Sequence, residues 1–506
     1  MKDKPFNLAE YFLGEERLQK IGDDAAIDFL NHKITYRHLC LEVSYWQERI
    51  LSLGVSAGDR VALLLYDSPE FIASFLAAVG MGAIAVPINT FLPREDLEYI
   101  LQDCGARLAI IEDDLDARLR LKIGSDGRGH AVTVKRSSGS WEPGGADTEQ
   151  VDFAAHTNEK TPAFLLYTSG STGIPKGVLH LHGSIPFTAK SYSGNVLNLS
   201  AEDRVYSASR LFFAYGLGNS LSFPLAAGAC VILDTERPNA EKVAGILRDN
   251  RPTIFFGVPA VYNSLLEYKS SGREVDTSSL RLCISAGEAL PSRVLEDWQN
   301  TFGVTLLDGI GSTEMLHIFL SNRPGDVRSG SSGRAVPGYE AKLVDDSWSE
   351  VDRGEMGNLW VKGGSAIVGY WGRSDLTEAI MKDEWIKTGD IYRQDADGYF
   401  YHVGRSDDCF KVSGLWVSPI EVESVLLRSE SVLEAAVVAG TGEEGLATVK
   451  AYVVIRQGMD SNEVRNSLFT FLCENLPKYK VPSSIEFLDS LPRTSTGKVQ
   501  RFKLRS

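Results

Sequence analysis

Along this chain, short unbroken apolar runs alternate with longer stretches whose apolar residues recur every three to four positions. Arg60-Val-Ala-Leu-Leu-Leu65 is one such run, and it fits a strand buried on both faces. The spacing predicts a helix over 69–81, a strand over 84–88 and a helix over 94–106. In that last stretch Leu97, Ile100, Leu101 and Cys104 fall at i, i+3, i+4 and i+7. Arg107-Leu-Ala-Ile-Ile111 follows as another strand. Strand–helix–strand order with short connections implies right-handed crossovers and a largely parallel sheet.

Polarity returns from Gly124 to Gln150, which reads as a surface excursion between strands. Ala163 to Gly228 reads as the start of a second unit of the same kind. Arg281 to Gly287 is a strand entering a glycine turn, and Thr305 to Glu314 is a strand ending in Gly309-Ile-Gly-Ser-Thr-Glu314. From Gly333 to Tyr401 short β-like pieces alternate with Gly-rich turns, which predicts a small β-rich subdomain. The polar cluster Arg405 to Asp408 marks a boundary. After it come helices near 419–428 and 463–475 and strands near 433–438 and 449–454. The expected fold class is α/β: a large N-terminal domain (1–404) of two parallel-sheet α/β subdomains plus the β-rich one, then a small α+β C-terminal domain (405–506).

Charge and composition narrow the function. A net charge of -15 repels phosphate backbones and anionic lipid, so neither nucleic acid nor membrane is an expected partner. Six scattered cysteines form no Cys-x-x-Cys pair and no zinc spacing, as in a reducing cytoplasm. The N-terminus lacks the apolar region of a signal peptide, and a cytoplasmic location is expected. Phe71 to Ile88 carries no charge for 18 residues, but Gly80, Gly82 and Pro87 make it a buried helix running into a buried strand.

The chemistry begins at Tyr167-Thr-Ser-Gly-Ser-Thr-Gly-Ile-Pro-Lys-Gly177, which follows the apolar run Ala163-Phe-Leu-Leu166. Gly170, Gly173 and Gly177 let backbone N–H groups approach an anion. Thr168, Ser169, Ser171 and Thr172 add hydroxyl donors, and Lys176 adds a charge suited to phosphate. The spacing is not that of a Walker A loop. Taken alone, the segment also fits a Ser/Gly connector.

This segment resembles the signature loop of the adenylate-forming superfamily: acyl-CoA and aryl-CoA synthetases, peptide-synthetase adenylation domains and luciferases. Further matches follow in order between about Tyr36 and Arg501: Gly311-Ser-Thr-Glu314, Lys387-Thr-Gly-Asp390, Gly404-Arg-Ser-Asp-Asp408 and Pro492-Arg-Thr-Ser-Thr-Gly-Lys498. The resemblance implies ATP and Mg²⁺. Thr313 would contact phosphate, and Glu314 would help hold the metal. Asp390 would accept from the ribose hydroxyls, with Arg405 near the same ribose. Gly287, Glu288, Asp308, Gly309 and Ile310 would surround the nucleotide; Ile310 stands where many relatives stack an aromatic residue on adenine. Lys498 would bridge carboxylate and α-phosphate during adenylation.

The same resemblance implies a hinge at Asp407 and a mobile C-terminal domain. Its rotation would bring in Lys411, Ser413 and Gly414 for thioester formation, with Lys478 and Tyr479 at the coenzyme A phosphates or at a carrier protein. Leu211-Phe-Phe-Ala-Tyr-Gly-Leu-Gly-Asn219 is similar to the acid-pocket segment of benzoate–CoA ligases. Phe213 and Tyr215 offer flat apolar walls for a ring. Ala214 stands where amino-acid-activating relatives carry an aspartate. Gly311 and His317 would complete the pocket, although His317 also fits a structural histidine. The expected partners are therefore a small aromatic carboxylate, ATP and coenzyme A. Anthranilate or a hydroxybenzoate stays open as the acid, and a carrier protein as the acceptor. Oligomeric state and pathway stay undetermined.

Overall fold

The computed structural model describes residues 4–123, 129–135, 151, 153, 156–169, 174–413, 415–441, 447–456, 461–493 and 499–505. The chain divides into two compact units, Met1–Ala341 with Val361–Ile386, and Lys342–Trp360 with Lys387–Ser506.

The first unit holds two sheets. One has seven strands in the order Gly369–Tyr370, Pro175–Leu181, Pro162–Ser169, Ile84–Pro87, Arg60–Leu64, Leu108–Glu112 and His130–Val134. Its central strands are parallel and entirely or almost entirely buried, which explains their unbroken apolar composition. The uncharged stretch from Phe71 forms most of the helix Pro69–Gly80, in which every residue except Glu70 is buried. Ser68 caps it by accepting from the Phe71 N–H, and Pro69 occupies its first turn. Among the described residues no helix is long and apolar enough to cross a membrane.

Two sequence expectations change here. The polar segment Gly124 to Gln150 contains a strand, His130–Val134, parallel to Leu108–Glu112. It lies at the sheet edge with only Val132 buried, so it lacks the apolar run that marks a central strand. The Ala163 run does not open the second sheet. It pairs in parallel with Ile84–Pro87, Phe164 opposite Ala85, and so completes the first.

The second sheet has nine strands, ordered Arg334–Ala335, Ile318–Ser321, Leu306–Gly311, Leu282–Ser285, Ile254–Gly257, Arg204–Ser207, Cys230–Leu233, Ala25–Phe29 and His32–Thr35. Six central strands run parallel, from Leu306–Gly311 to Ala25–Phe29. The hairpin Ala25–Thr35 belongs to this sheet although it precedes the first in sequence. One core joins the two sheets, with Leu63, Phe75 and Phe164 packed among residues that include Ile27, Val231 and Leu211.

In the second unit the strands Trp385–Gln394 and Phe400–Arg405 pair antiparallel. A separate three-stranded sheet of Val432–Thr441, Ala447–Ile455 and Ser484–Phe487 is packed by the helices Pro419–Leu426 and Ser461–Asn475. Glu423 is buried beneath it. Its Oε1 accepts from the Val437 N–H at 2.7 Å, and its carboxylate takes both Arg501 Nη2 contacts, at 3.0 and 2.8 Å. Burial raises the Glu423 carboxyl above its ordinary range, and Arg501 opposes that shift. Removing the guanidinium leaves a buried carboxylate without its cation. Arg501→Ala is therefore expected to destabilise the second unit by about 3–5 kcal/mol, read by urea denaturation. A loss below about 1 kcal/mol would mean that the pair is solvated.

Candidate active site

The site is built at the ends of parallel strands, where open α/β sheets place their ligands. Strand Pro162–Ser169 turns and returns as Pro175–Leu181, with Thr168 opposite Lys176 and Tyr167 opposite Gly177. Lys176 thus stands on the returning strand. Gly170, Ser171 and Thr172 lie outside the described residues. Gly177 is closely packed: a Cβ there would stand 3.0 Å from the Tyr167 ring and 3.2 Å from Trp371 Cβ.

In the second sheet, Ser285 at the end of Leu282–Ser285 pairs with Asp308 on Leu306–Gly311. Gly287 follows with φ +89°, and Glu288 beside it is exposed. Asp308 is buried, and burial raises its carboxyl well above the usual range against opposing N–H groups of Gly309 and Leu290. Its Oδ1 has no hydrogen-bond partner among the described residues. Past Gly311, Ser312 caps the helical turn Thr313–Met315 by accepting from the Met315 N–H at 3.2 Å. Leu316 has φ +67°, and the chain returns as Ile318–Ser321, antiparallel to Leu306–Gly311, with Ile310 opposite Leu320.

Two side chains join this turn to the hairpin. Tyr370 donates its hydroxyl to Glu314 Oε1 at 2.7 Å. Lys176 Nζ donates to that same hydroxyl oxygen at 3.3 Å and lies 4.4 Å from the ring centre. His180 Nε2 is 2.8 Å from the Thr313 carbonyl oxygen. Burial lowers the His180 pKa to about 4, so the ring is neutral near pH 7 and carries its proton on Nε2. Thr313, Glu314, Thr168 and Lys176 are therefore brought together. Sequence reading missed Tyr370 and His180. The alternation His180-Leu-His182 was available as a signal of two histidines on one strand face, but nothing local ties Tyr370 to Glu314.

The aromatic segment stands beside this turn. Phe213 and Ala214 are half-buried at the start of the short helix Ala214–Leu217. The Tyr215 hydroxyl donates to the Ile284 carbonyl at 3.2 Å. The His317 ring centre lies 5.4 Å from Tyr215, 4.4 Å from Phe223 and 5.6 Å from Tyr192. Its Nε2 meets Asn219 Oδ1 at 3.1 Å, and burial lowers its pKa to about 3. Gly218 lies directly on that ring, where a Cβ would stand 2.2 Å from His317 Cδ2.

In the second unit Asp390 pairs with Arg405 across the strands, with Nη1 and Oδ1 3.1 Å apart. His402 Nε2 is 3.4 Å from the same oxygen but is not aligned as a hydrogen bond. Burial pushes the Asp390 carboxyl up, yet His402 and Arg405 together outweigh it and hold it below the ordinary value. The Asp407 carbonyl accepts from Arg505 at 2.8 Å. Lys411 lies over the Trp416 ring at 4.7 Å, and Ser413 has φ +51°. Lys478 and Tyr479 occupy the helical turn Lys478–Lys480, which Lys480 anchors to Glu421 at 2.7 and 2.6 Å. Gly414 and Lys498 lie outside the described residues.

Residues 14–371 match the AMP-binding enzyme family and residues 421–498 its C-terminal domain. The chain belongs to the AMP-binding enzyme family. It is 42% identical to a benzoate–CoA ligase of Thauera aromatica, over 99% of this chain and 96% of that protein. The fold resembles a crystal structure of an anthranilate CoA ligase in complex with anthranoyl-AMP, with TM-score 0.89, 38% identity and coverage of 99% and 96%. It also resembles a benzoate CoA ligase from Burkholderia xenovorans LB400, with TM-score 0.86, 37% identity and coverage of 99% and 100%.

The buried histidines of this AMP-binding enzyme have a pH consequence. Burial lowers His180 and His182 to about 4 and His317 to about 3, from an ordinary 6.5. His182 Nδ1 accepts from the Leu8 N–H at 3.0 Å, a bond that protonation at Nδ1 would break. A pKa depressed by folding contributes stability above the unfolded value and loses it as pH falls through the folded one. The thermal midpoint should therefore decline from about pH 6.5 toward pH 4. His182→Gln should decline less steeply than the parent; parallel curves would contradict the assignment.

Proposed function

We propose that this enzyme is an aryl acid–CoA ligase of the benzoate type. It joins an aromatic carboxylate to ATP as an aryl-adenylate, releasing pyrophosphate, and then passes the aryl group to the thiol of coenzyme A, releasing AMP. The observation that supports the reading is the segment Phe213-Ala214-Tyr215, whose Tyr215 ring centre lies 5.4 Å from His317. It is apolar and aromatic, carries no carboxylate at Ala214, and adjoins the turn that bears Thr313 and Glu314. A neutral His317 adds no charge beside Tyr215.

The first half-reaction needs the triphosphate charge offset while a carboxylate oxygen attacks the α-phosphorus in line. In this reading the glycine loop with Thr168, Ser169, Gly170, Ser171, Thr172 and Lys176 cradles phosphate, and Thr313 contacts it. Magnesium held by one carboxylate and the nucleotide's own phosphates needs few protein oxygens. Glu314, with one oxygen bound to a neutral hydroxyl, supplies a donor set that fits. The ion would offset charge on the leaving pyrophosphate. Gly287, Glu288, Asp308, Gly309 and Ile310 border the adenosine, Asp390 and Arg405 hold its ribose, and Gly311 borders the acid.

Lys498 stabilises charge present in the transition state as the carboxylate meets the α-phosphate. In the second half-reaction the thiol sulfur attacks the acyl carbon, loses its proton, and AMP leaves. We assign Lys411, Ser413, Gly414, Lys478 and Tyr479 to the pantetheine and phosphates of coenzyme A, and the exchange between half-reactions to a hinge at Asp407. A ring-substituted benzoate is a second reading, favoured by similarity to the ligase solved with anthranoyl-AMP.

A panel of benzoate, anthranilate and hydroxybenzoates with ATP, Mg²⁺ and either coenzyme A or a holo-carrier protein, read by thioester mass, tests the substrate and the acceptor. Benzoyl-CoA is the expected main product; no thioester from any aromatic acid would overturn the reading. Lys498→Ala should lower acid-dependent pyrophosphate release on the order of a hundred- to a thousand-fold while sparing thioester formation from supplied aryl-adenylate. Asp407→Pro should impair thioester formation more than adenylation, and equal loss of both would remove the hinge from the scheme.

A further inference from the structure

Glu314 and Lys176 have opposite charges and, in the reading above, different clients: a metal ion and a phosphate. Left in direct contact, the two would form an ion pair that each must break before serving the nucleotide. The Tyr370 hydroxyl stands between them, donating to Glu314 Oε1 at 2.7 Å and accepting from Lys176 Nζ at 3.3 Å. The ring is 6% exposed and presents its face to the same ammonium at 4.4 Å. The backbone around it is tied to both sides. The Ile367 N–H donates to the Glu314 carbonyl at 2.9 Å, and the Trp371 N–H to the Gly177 carbonyl at 2.8 Å. Tyr370 itself lies opposite Val178 on the returning hairpin strand. Its own N–H donates to Thr377 Oγ1 at 2.9 Å.

We infer that Tyr370 is a positioning residue whose hydroxyl holds Glu314 and Lys176 apart, the carboxylate oriented for Mg²⁺ and the ammonium for phosphate. This rests on the roles proposed above for those two residues. A neutral hydroxyl suits the task because it bonds both charges without cancelling either, and its bond to a carboxylate is of the stronger, charge-assisted kind.

Tyr370→Phe keeps the ring and deletes only the hydroxyl. The measurement is ATP affinity of the full-length enzyme by titration calorimetry, with and without Mg²⁺. The gain in affinity that Mg²⁺ confers is expected to fall about ten-fold in Tyr370→Phe, the effect of losing one hydrogen bond to a charged group. In a Glu314→Gln background the same substitution should add little, because it acts through Glu314. Thr377→Val loosens the backbone anchor without touching the hydroxyl and should leave the gain at the parent value. If Glu314→Gln loses the gain but Tyr370→Phe keeps it, the inference fails and the reading of Glu314 stands. If Glu314→Gln keeps the gain, that reading fails and the inference with it. Additive losses, or an equal loss in Thr377→Val, would make Tyr370 merely structural and overturn the inference.

Discussion

The turn that carries Thr313 and Glu314 hangs on one close approach of backbone to backbone. At Gly311 a Cβ would stand 2.5 Å from the His317 carbonyl oxygen, so only glycine lets the chain turn back there on itself. That reversal converts the end of a parallel strand into the turn Thr313–Met315 and the antiparallel return Ile318–Ser321. It puts Thr313 and Glu314 on one side, toward the hairpin, and His317 on the other, among Tyr192, Tyr215 and Phe223. In the proposed reaction the nucleotide end and the acid end would be a few residues apart on one turn. A two-substrate adenylation requires that proximity.

Electrostatics is handled locally. The chain is acidic overall, yet the hairpin presents Lys176, and the Glu314 carboxylate is held by a neutral tyrosine. The histidines that pack this region are kept neutral by burial, so they orient backbone and aromatic groups without adding charge. In the second unit the arrangement differs: Asp390 is held below the ordinary carboxylate range by His402 and Arg405 against the effect of its burial.

Much of the fold was legible because its central strands are buried on both faces. Arg60–Leu64, Ile84–Pro87 and Leu108–Glu112 each announce themselves as apolar runs, and the fully buried helix Pro69–Gly80 explains a stretch that mimics a membrane span. The edge strand His130–Val134 was not legible, because one side of it faces solvent and the run is broken. Sheet membership was not legible either. Ala163-Phe-Leu-Leu166 is recognisable as a strand, but its neighbour Ile84–Pro87 is set by tertiary packing. In the site, glycine, hydroxyl and lysine content pointed to an anion cradle. Placing Lys176 on the returning strand, and tying Tyr370 to Glu314 across 56 positions, required the folded chain. His317 carried two readings in sequence, and its burial against Gly218 resolves its packing as that of a neutral ring.

The central claim is that the acid is activated by bonding its own oxygen to the α-phosphorus of ATP. Benzoate labelled with ¹⁸O in both carboxylate oxygens tests it directly, in a complete reaction with ATP, Mg²⁺ and coenzyme A followed by mass spectrometry of the products. The account predicts one ¹⁸O in AMP, one retained in the thioester carbonyl and none in pyrophosphate. Label in orthophosphate with ADP as the nucleotide product would contradict it, because the acid would then have been activated at the γ-phosphorus.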